Sequence, residues 1–169
     1  MVAMKAQRKR IIGIIVFTLL YPIGAHTAEH IPNPMVPGAI VALNMILPVL
    51  AGYFYGPISG ALVGGFGMAI SALWRVSMFD AMSIGPHIVM GLAAGWVGKY
   101  RSDVLCSLVV VLGHALNLMF YARMGLMTTL TDQPGLVVLG VAAEATVDIV
   151  ALVLAMTLLK RWLYEANRW

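Results

Sequence analysis

Residues 51–65 read Ala51-Gly52-Tyr53-Phe54-Tyr55-Gly56-Pro57-Ile58-Ser59-Gly60-Ala61-Leu62-Val63-Gly64-Gly65. Two apolar runs meet in this stretch, and Tyr55-Gly56-Pro57 is all that separates them. Glycine just past the end of one helix and proline at the first turn of the next is the expected punctuation of a tight helix–helix turn. After the turn, Gly56, Gly60 and Gly64 recur every four residues, which places them on one face of a helix. In lipid, such small-residue stripes let two helix backbones approach closely. Gly91 and Gly95, and Ala151 and Ala155, repeat the spacing.

Working outward, the rest of the chain has the same character. It has 169 residues, of which 61% are hydrophobic and 11% charged, with a mean hydropathy of +0.90. Charge this sparse does not cover a water-facing surface, and long apolar runs read as membrane spans. Six such segments are expected, at 11–25, 36–55, 57–74, 84–98, 103–122 and 135–159. Several are short for a hydrocarbon core of about 30 Å, so tilting or local thinning is implied. The fold class is therefore all-α: a single six-helix transmembrane domain over residues 1–169, with tight breaks at 55–57 and 99–103 and longer ones at 26–35, 75–83 and 123–134.

The basic residues set the direction. With the N-terminus in the cytoplasm, Lys5, Arg8, Lys9, Arg10, Lys99, Arg101, Lys160, Arg161 and Arg168 lie inside, nine of the 11 Lys and Arg. Arg75 and Arg123 lie outside. The positive-inside rule thus puts both termini in the cytoplasm of a cell-membrane protein, with Trp162, Tyr164 and Trp169 at the inner interface. The net charge of +4 forms no single patch, so nucleic acid is not an expected partner. Span one also resembles a signal peptide, but His26 is a poor −3 residue for cleavage after Ala28, so the span is expected to be retained. The single Cys106 forms no intrachain disulfide.

Polar residues inside a bilayer are expensive and face the protein interior. Here they gather toward the outer side. His26, Glu29 and His30 follow span one, Arg75 and Asp80 lie in the second outer loop, and His87 begins span four. His114, Asn117 and Tyr121 share one face of span five, and Glu144 and Asp148 lie one turn apart on span six near mid-depth. These groups are expected to converge on one outward-facing pocket lined by Glu144, His114, Asn117, Tyr121, His87, His30, Trp74 and Asp148. The aromatic members suit a flat heterocycle. An alternative uses His26, His30, His87 and His114 as nitrogen ligands to a transition metal. His26-x-x-Glu29-His30 also spells the inverted zinc-protease motif. Pro32 and Pro34 follow at once and break the helix that such chemistry needs. No convincing nucleophile–base constellation appears, and neither does a G-x-x-x-x-G-K-[ST] phosphate loop. The chain is expected to be no enzyme and to carry no cofactor.

Six short helices, tight inner turns and longer outer loops resemble the substrate-binding S component of an energy-coupling factor (ECF) transporter. Residues 51–65 are similar to the turn that many of these proteins carry between helices two and three. The resemblance implies capture of a vitamin or transition metal outside, at a site built by helices four to six and loops one, three and five. It further implies docking on a transmembrane coupling subunit served by two ATPase subunits, with the bilayer as the other partner. Segment 26–37 would be the closing loop. Two departures stand out. Span one offers Gly13 and then bulky Phe17 where many members show a small-residue stripe. Glu29-His30-Ile31-Pro32 is similar to the start of the cobalt and nickel members but lies internally, and their later histidine motif is absent. A vitamin-like heterocycle therefore ranks above a metal. The same glycine-proline turn also resembles the membrane module of autolysin-regulating sensor kinases, which leaves a non-transporting sensor or scaffold subunit as a further alternative.

Overall fold

A computed structural model of the chain describes residues 2–33, 41–126 and 132–166. The start of the expected second span, the last part of the expected closing loop, and Arg168 and Trp169 lie outside the described residues. The chain is all-helical. Helix α1 runs Val2–Ala28 and α2 runs Ile46–Tyr55, the latter entered through a 3₁₀ turn at Leu43–Met45. Helices α3 (Pro57–Arg75) and α4 (Met78–Gly98) follow. A short α5 (Asp103–Ser107) leads into α6 (Val109–Arg123), and α7 runs Pro134–Ala166.

Among the described residues, five helical stretches are long and apolar enough to cross a membrane: Gln7–Ala28, Pro57–Arg75, Met78–Gly98, Asp103–Arg123 and Pro134–Arg161. The sixth apolar segment is represented by the shorter Leu43–Tyr55 helix. Large apolar side chains stand on the outside of the helices, among them Phe66, Leu73, Trp96, Val138, Leu154 and Leu158. In water this surface would be untenable, whereas lipid solvates it. The chain reads as a multi-pass membrane protein.

Local sequence explains where the helices begin. At the α2–α3 turn Gly56 has φ +92°, a conformation other residues rarely adopt, and Pro57 occupies the first turn of α3. Ser77 caps α4 by accepting the Asp80 amide N–H at 3.2 Å, and Ser102 caps α5 by accepting from Leu105 N–H at 3.2 Å.

The glycine stripes set the helix contacts. A Cβ on Gly60 would stand 2.3 Å from the Gly91 carbonyl oxygen, and one on Gly64 would stand 2.3 Å from that of His87. Gly95 lies equally close to the Pro57 backbone. Helices α3 and α4 thus touch backbone to backbone. The stripe faces two helices. It meets α2 at Gly52, but its main partner is α4, because Gly91 and Gly95 offer a matching smooth face. Gly13 is filled by the Tyr55 ring and Gly67 by the Tyr21 ring, which seats α1 against α2 and α3.

The buried core is built from Met45, Val49, Met90, Ala94, Cys106, Val110, Leu152 and Met156, contributed by the 3₁₀ turn, α2 and α4–α7. Cys106 is a small core residue whose thiol donates to the Ala94 carbonyl at 3.5 Å. Two polar clusters pin the ends of the bundle. At the end carrying residues 29–33, 41–45 and 76–77, the distal end, Arg75 pairs with Glu29 and with Asp80 (3.1 Å), and Ser71 donates to Asp80 at 2.7 Å. At the opposite, proximal end, Asp103 accepts from Tyr53 Oη at 2.7 Å and pairs with Lys160.

Candidate functional site

Helices α6 and α7 bring three of the expected residues together. His114, Glu144 and Asp148 are all buried, and one ligand-capable atom from each lies within 4.8 Å of the others. His114 Nε2 and Asp148 Oδ2 are 2.9 Å apart. Glu144 and Asp148 are one turn apart on α7, so both carboxylates face α6 from the same stripe. The first lies about 15 Å along α7 at 1.5 Å per residue, near the middle of the span.

Asn33 and Ala42, which lie between α1 and α2, bond to this cluster. Glu144 Oε1 accepts the backbone N–H of Ala42 at 2.6 Å. Asn33 is buried, and its side-chain amide donates to the Gly140 carbonyl at 3.2 Å and approaches Glu144 Oε2 at 3.4 Å. A backbone bond from Val41 N–H to Ile31 O (2.9 Å) joins the two ends of the segment. Asn33 and the Ala42 amide were not expected in the site. Asn33 between two prolines was the available signal, since a side chain on so restricted a backbone is well placed to reach a fixed partner.

Two further expected residues are buried beside the cluster. His87, on α4, is 1% exposed and close enough to His114 for the two rings to interact electrostatically. Its Nδ1 lies 2.7 Å from the Ser83 carbonyl, which only accepts, so Nδ1 carries the proton and a neutral ring keeps its lone pair on Nε2. The edge of the ring meets Tyr21. Asn117 sits one turn along α6 from His114. Three buried atoms of this group have no hydrogen-bond partner: His87 Nε2, Asn117 Oδ1 and Asp148 Oδ1. All three are acceptors. A buried acceptor without a donor costs roughly 1–3 kcal/mol, so the group has capacity for a hydrogen-bond donor or a cation; the Tyr21 hydroxyl, whose ring packs on His87, is likewise buried without a partner among the described residues.

The remaining expected residues lie elsewhere. Tyr121 shares a hydrogen bond with Ser83 and packs its ring against Phe79. Trp74 is 59% exposed and stacks on His26 at the distal surface. His30 is exposed and meets the His26 ring edge-on. The alternative metal set is thus divided: His26 and His30 stand on the surface while His87 and His114 are buried. The reason is local, since His26 and His30 occupy the last turn of α1 and its exit. There His26 Nδ1 pairs with Glu29 at 3.0 Å. Arg75 above all, and His26 after it, holds the Glu29 carboxyl below the usual carboxylate range. Arg75 and Asp80 pair with one another at the distal end.

No protein-family model matches the chain, and comparison with curated proteins and with solved structures finds no match.

Proposed function

We propose that this chain is the membrane-embedded substrate-capture subunit of an ATP-driven micronutrient importer of the energy-coupling factor type. In this reading it has six membrane crossings with both termini in the cytoplasm, and it performs no catalysis. The observation that carries the proposal is the buried His114–Glu144–Asp148 group with three unpartnered acceptors beside it, covered from the distal side by Asn33 and Ala42. Ionisable residues in mid-membrane mark solute sites by default. The captured solute is a small vitamin-like heterocycle that presents positive charge or several N–H donors, since the unpartnered acceptors ask for donors. Asn33 and Ala42 release Glu144 to admit it and re-form their bonds behind it, and a coupling subunit with ATPase partners supplies the energy for release inside.

One observation favours a second reading, a transition-metal ion. His114, Glu144 and Asp148 present mixed N and O ligands within 4.8 Å of one another, a donor set that suits zinc, nickel or cobalt. His87 donates its other ring N–H to a backbone carbonyl, as metal-bound histidines do. The test for both readings is mass spectrometry and metal analysis of the detergent-purified protein after denaturation. A stoichiometric organic cation supports the first reading, and stoichiometric nickel, cobalt or zinc the second. A protein that is empty, and that neither vitamins nor metals stabilise against heat, defeats both and favours a sensor or scaffold subunit.

A further inference from the structure

A second concavity lies at the proximal end, away from the His114 group. It is an open cavity of about 930 Å³ lined by Gly52, Tyr53, Phe54, Gly56, Gly95 and Gly98, with Lys99, Arg101, Lys160 and Arg161 around it. The lining residues therefore contribute four cations and no carboxylate. Of these cations, Lys160 is engaged by the Asp103 carboxylate, which also accepts from Tyr53. The cations come from two separate places in the chain, the turn after α4 and the C-terminal part of α7. A sequence bias toward basic residues at one face of a membrane does not by itself make them converge on one hollow. A Cβ on Gly56 would meet nothing within 4 Å, so that position opens on the hollow, and Lys160 Nζ stands 5.0 Å from the Tyr53 ring centre. Arg101 sits at φ +55°, a left-handed conformation that a non-glycine residue adopts only when its surroundings impose it. The neighbouring surface is apolar: Trp96, Val104, Leu105 and Leu158 are all exposed within four residues of lining positions.

We infer that this basic cavity is a binding site for the headgroup of an anionic phospholipid, whose acyl chains run along the adjacent Trp96, Val104 and Leu158 surface. Charge, position and shape agree on that occupant. Basic pockets between membrane helices bind phosphate headgroups, and the hollow opens where spanning helices end, beside apolar surface that a soluble anion would not use. The site is independent of the proposed capture function.

The test is native mass spectrometry of the full-length protein in micelles doped with phosphatidylglycerol or with phosphatidylcholine. Phosphatidylglycerol is expected to be retained preferentially, and added salt to weaken the preference. Each cation near the headgroup contributes about fivefold in affinity, so the K99Q/R101Q double variant should lose roughly 25-fold. R8Q/K9Q, which removes the same charge from α1, should lose little. Both Lys99 and Arg101 are on the exposed turn, and an unchanged thermal midpoint in phosphatidylcholine would confirm that the variant folds. Equal retention of the two lipids, or equal loss in the two double variants, would overturn the site. Displacement of phosphatidylglycerol by inorganic phosphate would overturn the lipid assignment in favour of a soluble anion.

Discussion

Replacing Glu144 by glutamine separates a ligand-binding role from a structural one. The side chain keeps its length, and a glutamine carbonyl oxygen can still accept the Ala42 N–H that Glu144 Oε1 accepts at 2.6 Å. Among the described residues, the second oxygen receives the long 3.4 Å approach of Asn33, and Asn33 keeps its Gly140 partner at 3.2 Å. The folded protein therefore loses one weak contact, and its stability should change by about 1 kcal/mol or less. A cationic ligand loses much more. A hydrogen bond to a charged group is worth about 1.5–3 kcal/mol, so affinity should fall roughly 10- to 150-fold. The assay is paired: thermal unfolding of the empty protein, and titration with whatever molecule or metal the native protein retains. Retained affinity together with a collapse in thermal stability would refute the reasoning, because it would make Glu144 a structural anchor for segment 33–42 and move the ligand elsewhere.

Other outcomes follow from the same geometry. The His114→Ala, Asp148→Ala and double variants should show a coupling of about 0.6–1.7 kcal/mol in unfolding of the ligand-free protein, the range for polar pairs in membranes; additive effects would mean that the 2.9 Å contact contributes nothing. Asn117→Ala should weaken ligand binding by roughly 1–3 kcal/mol, measured by the same titration, because its Oδ1 has no protein partner to lose. Gly60→Ala should destabilise by roughly 1–3 kcal/mol, since its Cβ would stand 2.3 Å from the Gly91 carbonyl and α3 must move off α4; Gly60→Leu should fail to give a monodisperse protein by size exclusion. Glu29 makes the distal ion pair pH-dependent. Its folded carboxyl titrates below the ordinary glutamate value, so its contribution is fully present above that value and is lost as pH falls through the lowered one. Thermal midpoints of the wild-type and Glu29→Gln proteins should differ at neutral pH and converge in acid; a constant difference would refute the pair.

The parts of this fold legible in the sequence are those governed by periodicity. Gly56, Gly60 and Gly64 announced a close helix contact because nothing else explains glycine every fourth residue in an apolar helix. The partner was less legible, since any facing helix with small residues would serve, and α4 rather than α2 met most of the stripe through Gly91 and Gly95. In the site, His114, Glu144 and Asp148 were found by counting depth and face along two helices, which a rigid 3.6-residue repeat permits. The Ala42 amide was invisible because a backbone N–H has no sequence signature. The i, i+4 spacing of His26 and His30 misled for a related reason: spacing places two rings side by side but does not say whether that face is buried, and here the helix ends and the rings meet Trp74 and Glu29 at the surface.

The charge balance of the site is the strongest argument that it is unfinished without a ligand. Burying a carboxylate in a membrane is expensive unless it is neutralised or fully hydrogen-bonded. At the proximal end Asp103 has Lys160 and Tyr53, and at the distal end Asp80 has Arg75, Ser71 and the α4 N-terminus, so both carboxylates are satisfied by fixed protein groups. Asp148 is fully buried with a single protein partner, His114, and one oxygen left bare. Among the described residues, Glu144, one turn away, is held by a backbone amide and a side-chain amide and by no lysine or arginine. The same chain thus pairs the part-buried Asp103 with a lysine and the buried Asp80 with an arginine, while buried Asp148 has a histidine. Under the proposed function, the cationic or N–H-rich solute would complete this third place.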